Sequence, residues 1–346
     1  MSTAVLERPV AEAALPGVGV LPAPPAVVLR HSAGTPGLRA RWPLALSIAM
    51  TAAATWWMVG NVDTVRRSTG VLVGLRPGWL LVAAAAAAAT WLCSGLSQQG
   101  AVAASLPVGR LLGVQFAGTF ANQFTPAGLG GGAVNVRFLR RHGSTAGEAV
   151  AAVGLTQLAG VAIHMSLLAA VLAVDPSLVA SVPLGLAHVP GWALPLVLAA
   201  LAATLTVVVV LRQRALSRLR GLWAEARSAM SHLRRPRRIA QLTLGSAGLT
   251  IAHIAVLYGI LRALDAQPPF LAVAAGYLLA TTVAALVPSP GGIGGLDACL
   301  GMLLYGSGIT SPTAVAAVLA YRLLTSWLAL VPSAVTLNAL VRRGIV

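Results

Sequence analysis

Pro126-Ala127-Gly128-Leu129-Gly130-Gly131 and Pro290-Gly291-Gly292-Ile293-Gly294-Gly295 are two versions of one hexapeptide, one in each half of the chain. The likeness continues past the glycines. His142-Gly143-Ser144 lies over Gly306-Ser307-Gly308, and Ala149-Val150-Ala151-Ala152-Val153 lies over Ala314-Val315-Ala316-Ala317-Val318. The chain therefore carries an internal duplication. Each hexapeptide interrupts a long apolar stretch. Paired hydrophobic segments broken by Gly and Pro, in corresponding places of two halves, point to a transporter-like substrate site near mid-membrane.

The surrounding composition fits that setting. The 346 residues are 57% hydrophobic and only 9% charged, and the mean hydropathy is +0.83. A soluble domain of this length carries far more charge, so the chain is a multi-span membrane protein. Its net charge of +16 comes from arginine, with no lysine in the sequence. Most arginines cluster at the ends of apolar segments, where they act as topology signals and contacts for anionic headgroups. That placement argues against nucleic acid as a partner. The two cysteines, Cys93 and Cys299, lie in apolar surroundings and form no CxxC. They suggest neither a disulfide framework nor a metal or redox centre. Residues 1–40, rich in Pro, Ala and Gly, lack the pattern of a cleaved signal and are expected to form a disordered cytoplasmic tail.

Apolar runs long enough to cross about 30 Å of hydrocarbon fall near 43–60, 77–99, 145–173, 191–211, 239–262 and 313–341. Trp42, Trp56, Trp57, Trp79 and Trp192 stand near their ends, as an aromatic belt requires. The regions 109–142 and 270–306 are each split by a glycine motif into halves too short to span, and read as re-entrant helical hairpins. Orientation follows from arginine. The loop 212–238 carries nine and the loop 174–190 none, so the first faces the cytoplasm. Counting spans from there puts both termini inside, the Arg137/Arg140/Arg141 hairpin on the cytoplasmic side and the 270–306 hairpin outside. Arg66, Arg67 and Arg76, in 61–76, fall on the outer side against the trend.

The expected fold is thus an all-α polytopic membrane protein of two inverted repeats, with about six full spans plus two re-entrant helical hairpins. The domain covers 41–341, with half-repeats at about 43–173 and 191–341. Within 212–238, Leu216, Leu219, Trp223, Ala226, Met230 and Leu233 recur at spacings of three and four among arginines. That pattern suits an amphipathic basic helix on an anionic leaflet, or a plain solvated connector.

Polar groups inside spans are costly. An arginine at a span centre costs at least about 2.5–3.5 kcal/mol, so it is usually paired or functional. Arg322 lies about ten residues into the last span, and Asp297 follows the second glycine motif directly. A pair between them would neutralise both. Arg322 could then hold a lipid phosphate while Asp297 orients it or attracts a cationic headgroup; alternatively the pair only fixes packing. Gln157 occupies the place of Arg322 in the first half at one residue of slippage, so the half-sites are chemically unequal. His164 and His253 also lie within spans, suited to a proton relay or to ordinary interhelical hydrogen bonds. Glu148 opens the third span as a cap-region charge.

The glycine motifs admit two accounts. A broken helix exposes amide N–H groups at the start of the following half-helix, which favours a phosphate. Equally, the glycines permit a tight turn packed against neighbours. No GKS/T follows either motif, so they are not P-loops. The candidate lipid-binding set is Pro126, Gly128, Gly130, Gly131, Arg137, Arg140 and Arg141 in the first half. In the second it is Pro290, Gly291, Gly292, Gly294, Gly295, Asp297 and Arg322.

These residues resemble the lysylphosphatidylglycerol synthase transmembrane-region family of flippase-like membrane proteins, over about 43–341. In that family a Pro-x-Gly-x-Gly-Gly motif with an arginine-rich helix precedes Pro-x-Pro-Gly-Gly-Ile-Gly with an acid just after. Here these are Pro126 to Arg141 and Pro288 to Asp297, and the family's Tyr-Arg in the last span is Tyr321-Arg322. Members often carry an acid near Gly132 and a basic residue near Asn135; this chain has neither. The resemblance implies translocation of a phosphate-bearing lipid: a phospholipid, an aminoacyl-phosphatidylglycerol or a polyprenyl-phosphate-linked lipid. It covers the translocase region alone, with no aminoacyltransferase domain expected after Val346.

Three functions follow as expectations. The first is a flippase or lipid carrier of the cytoplasmic membrane, with anionic membrane lipids as partners. The second is a non-catalytic membrane partner of a lipid-modifying enzyme or glycosyltransferase. The third, an intramembrane lipid enzyme, would need a nucleophile with a base, or a metal site. The eight acids are mostly isolated and form no HxxxH or DxxD pair, so no catalytic residue, metal or cofactor is expected. No ATP-binding motif is present, so movement would be passive, ion-coupled or driven by consumption of the lipid. The small-residue face of 77–99 would permit a homodimer.

Overall fold

The computed structural model describes residues 74–125, 129–176, 178, 235–285 and 295–346. Within them the chain is helical, and no strand occurs among the described residues. The order is α1 (Pro77–Gly100), α2 (Val108–Gln123), α3 (Leu129–Arg141), α4 (Ala146–Val174), α5 (Pro236–Ala263), α6 (Phe270–Ala285), α7 (Gly295–Gly306), α8 (Ser311–Arg322) and α9 (Leu328–Arg342). A five-residue π turn, Leu323–Trp327, joins α8 to α9 without a break. The pattern long, short, short, long therefore occurs twice. Four stretches are long and apolar enough to cross a membrane: α1, α4, α5 and Ser311–Arg342.

Local chemistry sets these boundaries. Pro77 and Pro236 open α1 and α5, where a missing N–H costs nothing. Thr145 and Glu148 cap α4 reciprocally: the Glu148 N–H donates to Thr145 Oγ1, and the Thr145 N–H donates to Glu148 Oε2. Glu148 is thus the cap charge that its position foretold. The turn after Arg322 holds a π insertion, and Pro332 inside α9 removes a further backbone donor, so the last span is irregular where a plain helix was expected.

The largest interface is between α1 and α5, which run antiparallel. Gly100 lies against Arg238 and Leu242, Ser97 against Gly245, Cys93 against Gly248 and Ala83 against Gly259. At the far end the Arg76 N–H donates to the Ala263 carbonyl, 2.9 Å. The seven alanines 83–89 explain the contact. They are the best helix formers, and they leave no side chain to hold the backbones apart. Lipid tails are as apolar as leucine, so close van der Waals approach is what drives helices together in a membrane. A Cβ at Gly245 would stand 2.3 Å from the Ser97 nitrogen, and one at Gly100 2.4 Å from the Leu242 nitrogen. Ser97 and Ser246 share a hydrogen bond across the seam, 3.0 Å. The small-residue face of α1, expected as a possible dimer surface, is spent on α5 within the chain.

Two cores lie at opposite ends of this seam. One gathers Leu111, Val114, Phe138, Leu139 and Ala149 around Ala101, Leu242 and Leu340. The other gathers Leu257, Ile260, Leu278, Leu300, Leu304 and Ala317 around Ala83. The α2–α3 pair belongs to the first and the α6–α7 pair to the second. Their contacts correspond: α2 packs on α9, and its counterpart α6 packs on α4.

Arg238 corrects one reading. It was counted in a basic loop, yet it lies in α5 and terminates α1. Its Nη1 donates to the Gln99 carbonyl at 2.8 Å and its Nη2 to the Ala103 carbonyl at 2.9 Å, satisfying acceptors that a helix end leaves open. The tail 1–40, the spans 43–60 and 191–211, and most of the segment 212–238 lie outside the described residues.

The seam makes a prediction. Gly245→Ala forces α1 and α5 apart and should cost about 1–3 kcal/mol, read as a lower unfolding midpoint of the detergent-solubilised protein. Gly154, whose Cβ would meet nothing within 4 Å, should tolerate Ala or gain up to about 1 kcal/mol. Equal midpoints for Gly245→Ala and the parent would contradict the close approach.

Candidate functional site

Arg322 ends α8 and is buried, 5% exposed. It lies about 16 Å along the helix from Ser311, at ~1.5 Å per residue. Asp297 stands in the first turn of α7. Arg322 Nε donates to Asp297 Oδ1 at 2.5 Å. A buried guanidinium needs such a partner, since an unpaired ion in an apolar medium costs several kcal/mol. Asp297 keeps 26% of its side-chain surface exposed. The pair is therefore reachable from the carboxylate side, where α7 begins. An acid in a first turn also complements the helix dipole.

Next to Arg322 in sequence, Tyr321 turns to α5. Its hydroxyl lies 2.9 Å from His253 Nδ1. The His253 ring stacks on Tyr277 of α6, centroids 6.0 Å apart and planes 11° from parallel. Tyr277 and Tyr321 are themselves 6.2 Å apart, and both are buried. Four helices thus converge on one polar cluster: α5 through His253, α6 through Tyr277, α7 through Asp297 and α8 through Tyr321 and Arg322. His164 lies elsewhere. Its Nε2 sits 3.1 Å from the Leu278 carbonyl and from Thr282 Oγ1, tying α4 to α6. That is the interhelical hydrogen bond, one of the two uses its position allowed.

The first half holds a different network. Ser94 Oγ donates to Gln115 Oε1 at 2.9 Å, and Gln115 Nε2 donates to Asn135 Oδ1 at 2.8 Å. Asn135 Nδ2 donates to the Gly131 carbonyl, 2.9 Å. Uncharged amides therefore fill the place where a basic residue was noted as missing. The glycines there are packing points. The Gly130 N–H donates to Thr125 Oγ1 at 2.7 Å and the Gly131 N–H to Asn122 Oδ1 at 2.6 Å. A Cβ at Gly130 would stand 2.2 Å from the Ala121 carbonyl oxygen. Two first-turn amides of α3 are thus engaged by Asn122 of α2 and by Thr125 just past its end, so they are not open to a phosphate.

Of the sequence-derived candidates, the structure unites Asp297 and Arg322, with Gly295 buried at the start of α7. Arg137, Arg140 and Arg141 are exposed on α3, whose partners are α2 and α4, apart from this cluster. Pro126, Gly128, Pro290, Gly291, Gly292 and Gly294 lie outside the described residues. Sequence reasoning passed over Tyr277. A lone tyrosine in the otherwise apolar stretch 270–280 was the available signal.

Residues 44–333 match the family described as lysylphosphatidylglycerol synthase TM region, and the chain belongs to it. This is a membrane domain linked to lipid handling, and the chain is a multi-pass membrane protein of that kind. No curated protein matches the sequence.

The ion pair can be tested for its own sake. Arg322→Met leaves a carboxylate without its cation and should destabilise the protein by about 3 kcal/mol, the low end for a buried pair given the exposure of Asp297. Arg322→Met with Asp297→Leu should recover most of that loss, as measured by thermal unfolding in detergent. A double variant no more stable than Arg322→Met would show that the two side chains are not coupled.

Proposed function

We propose that this member of the lysylphosphatidylglycerol synthase transmembrane-region family is a lipid flippase or carrier of the cytoplasmic membrane. It binds a phosphate-bearing headgroup at Arg322. The observation that carries this is the buried Arg322–Asp297 pair, about 16 Å from the end of its span and partly exposed on the Asp297 side. A guanidinium meets a phosphate with the same forked geometry that it offers a carboxylate. Arg322 can therefore exchange Asp297 for a headgroup without ever being left unpaired. The lipid is a phospholipid, an aminoacyl-phosphatidylglycerol or a polyprenyl-phosphate-linked species. No chemistry is performed on it, and the protein is not an enzyme.

In this reading the two halves are inverted repeats. The antiparallel α1–α5 seam supports it, as do the two cores at opposite ends. The α2–α3 and α6–α7 pairs are then re-entrant hairpins entering from opposite faces, since about 24 Å of α2 or α6 falls short of the ~30 Å hydrocarbon thickness. Arg110, Arg140, Arg141, Arg235, Arg237, Arg342 and Arg343 belong to the ends that meet in the first core. That end faces the cytoplasm and carries the C-terminus; the N-terminus is also placed inside. Anionic membrane lipids gather there as further partners.

Transport is measured with proteoliposomes holding labelled phosphatidylglycerol, aminoacyl-phosphatidylglycerol or polyprenyl phosphate, by the loss of label protected from an external quencher. The parent should move one class, and Arg322→Met with Asp297→Leu, folded by design, should lower the rate at least tenfold. Loss of about 1.4 kcal/mol of headgroup binding suffices for that. Transport that persists in the double variant would contradict the site. Absence of transport of all three lipids would favour a non-catalytic partner of a lipid-modifying enzyme.

A further inference from the structure

Laying the halves over one another by their helix starts sets Pro77 on Pro236, Val108 on Phe270 and the cap Thr145 on the cap Thr310. Ser94 then falls on His253, Gln115 on Tyr277, Thr156 on Tyr321 and Gln157 on Arg322. Both halves carry an interhelical side-chain hydrogen bond from this position, though to different neighbours. The first does so with Ser94 Oγ on Gln115 Oε1, 2.9 Å. The second does so with Tyr321 Oη and His253 Nδ1, 2.9 Å. At the place of His253 the first half therefore has a serine that bonds the neighbouring α2 with no titratable side chain, and the imidazole with its bond to α8 belongs to the second half alone.

Charge counting says what the imidazole can do. Arg322 and Asp297 together are neutral. A phosphodiester headgroup adds one negative charge to the cluster, and an uncompensated charge in an apolar interior is costly. One proton on His253 restores neutrality. We propose that His253, held by Tyr321, binds a proton together with the headgroup at Arg322, so that lipid movement is coupled to proton movement. This rests on the lipid-binding reading of Arg322 given above.

The step is a simple exchange. Neutral His253, carrying its hydrogen on Nε2, accepts a hydrogen bond at Nδ1 from the Tyr321 hydroxyl. Protonated His253 donates Nδ1–H to Tyr321 Oη, whose own hydrogen rotates to another acceptor. The proton comes from water on the side where the headgroup enters and returns to water where it leaves. No bond of the lipid forms or breaks.

The groups around His253 fit the role. From α6 comes Tyr277, and from α8 Tyr321 and Arg322, with Asp297 of α7 reached through Arg322. On α4 the nearest titratable group is His164, already engaged by α6. The α1 face offers alanines, with Cys93 set against Gly248 more than a turn away from His253. Asp297 is the competing proton carrier.

Binding of dihexanoyl-phosphatidylglycerol to the full chain in detergent decides between them. It is measured by calorimetry in two buffers of different ionisation enthalpy. The parent should take up roughly one proton per lipid, with affinity falling by up to about tenfold per pH unit as protonation becomes limiting. His253→Asn, whose amide oxygen can still accept from Tyr321, should bind with the uptake abolished and a flat pH profile. Tyr321→Phe should keep the uptake and shift the midpoint of that profile. Binding by the parent without proton exchange would overturn the proposal and leave the lipid site standing. So would uptake retained in His253→Asn, which would assign the proton to Asp297. Binding that survives Arg322→Met with Asp297→Leu, or binding neither of this lipid nor of its aminoacyl and polyprenyl-phosphate counterparts, would instead remove the headgroup reading and this proposal with it.

Discussion

The close approach of α1 and α5 is the contact on which the rest of the structure depends. Alanines 83–89 on one helix and Gly245, Gly248 and Gly259 on the other bring two backbones together with little between them. The two helices each precede one of the short helix pairs, and they run antiparallel. That single fact carries the α2–α3 pair to one end of the bundle and the α6–α7 pair to the other. Arg238 holds one end of the seam by bonding one carbonyl in the last turn of α1 and one just beyond it. Arg76 meets Asp265 at the other, 2.7 Å apart, in an exposed pair that adds little stability.

The two halves differ in chemistry where their helix order corresponds. At matching places the first half has Ser94, Gln115 and Gln157, and the second has His253, Tyr277 and Arg322. The amides of the first half bond to one another and to the glycine helix, closing its start. The second half gathers an ion pair, an imidazole and two phenols in one buried cluster. The asymmetry concentrates the buried ion pair and the titratable groups on one side of the seam.

Much of this was legible in the residues. The repeated hexapeptides located both helix pairs, and the pairing of Arg322 with Asp297 followed from the cost of either alone in hydrocarbon. Glu148 was legible as a charge at the start of its helix, though its bond to Thr145 was not read. Other features depend on which faces meet, which one sequence does not specify. Gly130 and Gly131 could be read as donors for a phosphate or as packing points, and Thr125 and Asn122 already accept from them. Arg238 looked like one charge among many in a loop, and only the position of the α1 terminus gives it a role. The π turn after Arg322 left no trace in the apolar pattern. The stacking of His253 on Tyr277 joins residues of separate helices whose rotation is set by the α1–α5 seam.

The central claim is that the two helix pairs open to opposite faces of the membrane. Single cysteines at Ser105, Arg141, Gln267 and Ser307, with Cys93 and Cys299 replaced by Ala, test it in sealed cells with a membrane-impermeant maleimide. All four positions are exposed at the bundle ends. The account predicts labelling of 267 and 307 in intact cells, and of 105 and 141 only after permeabilisation. Labelling of 141 and 307 from the same side would contradict it.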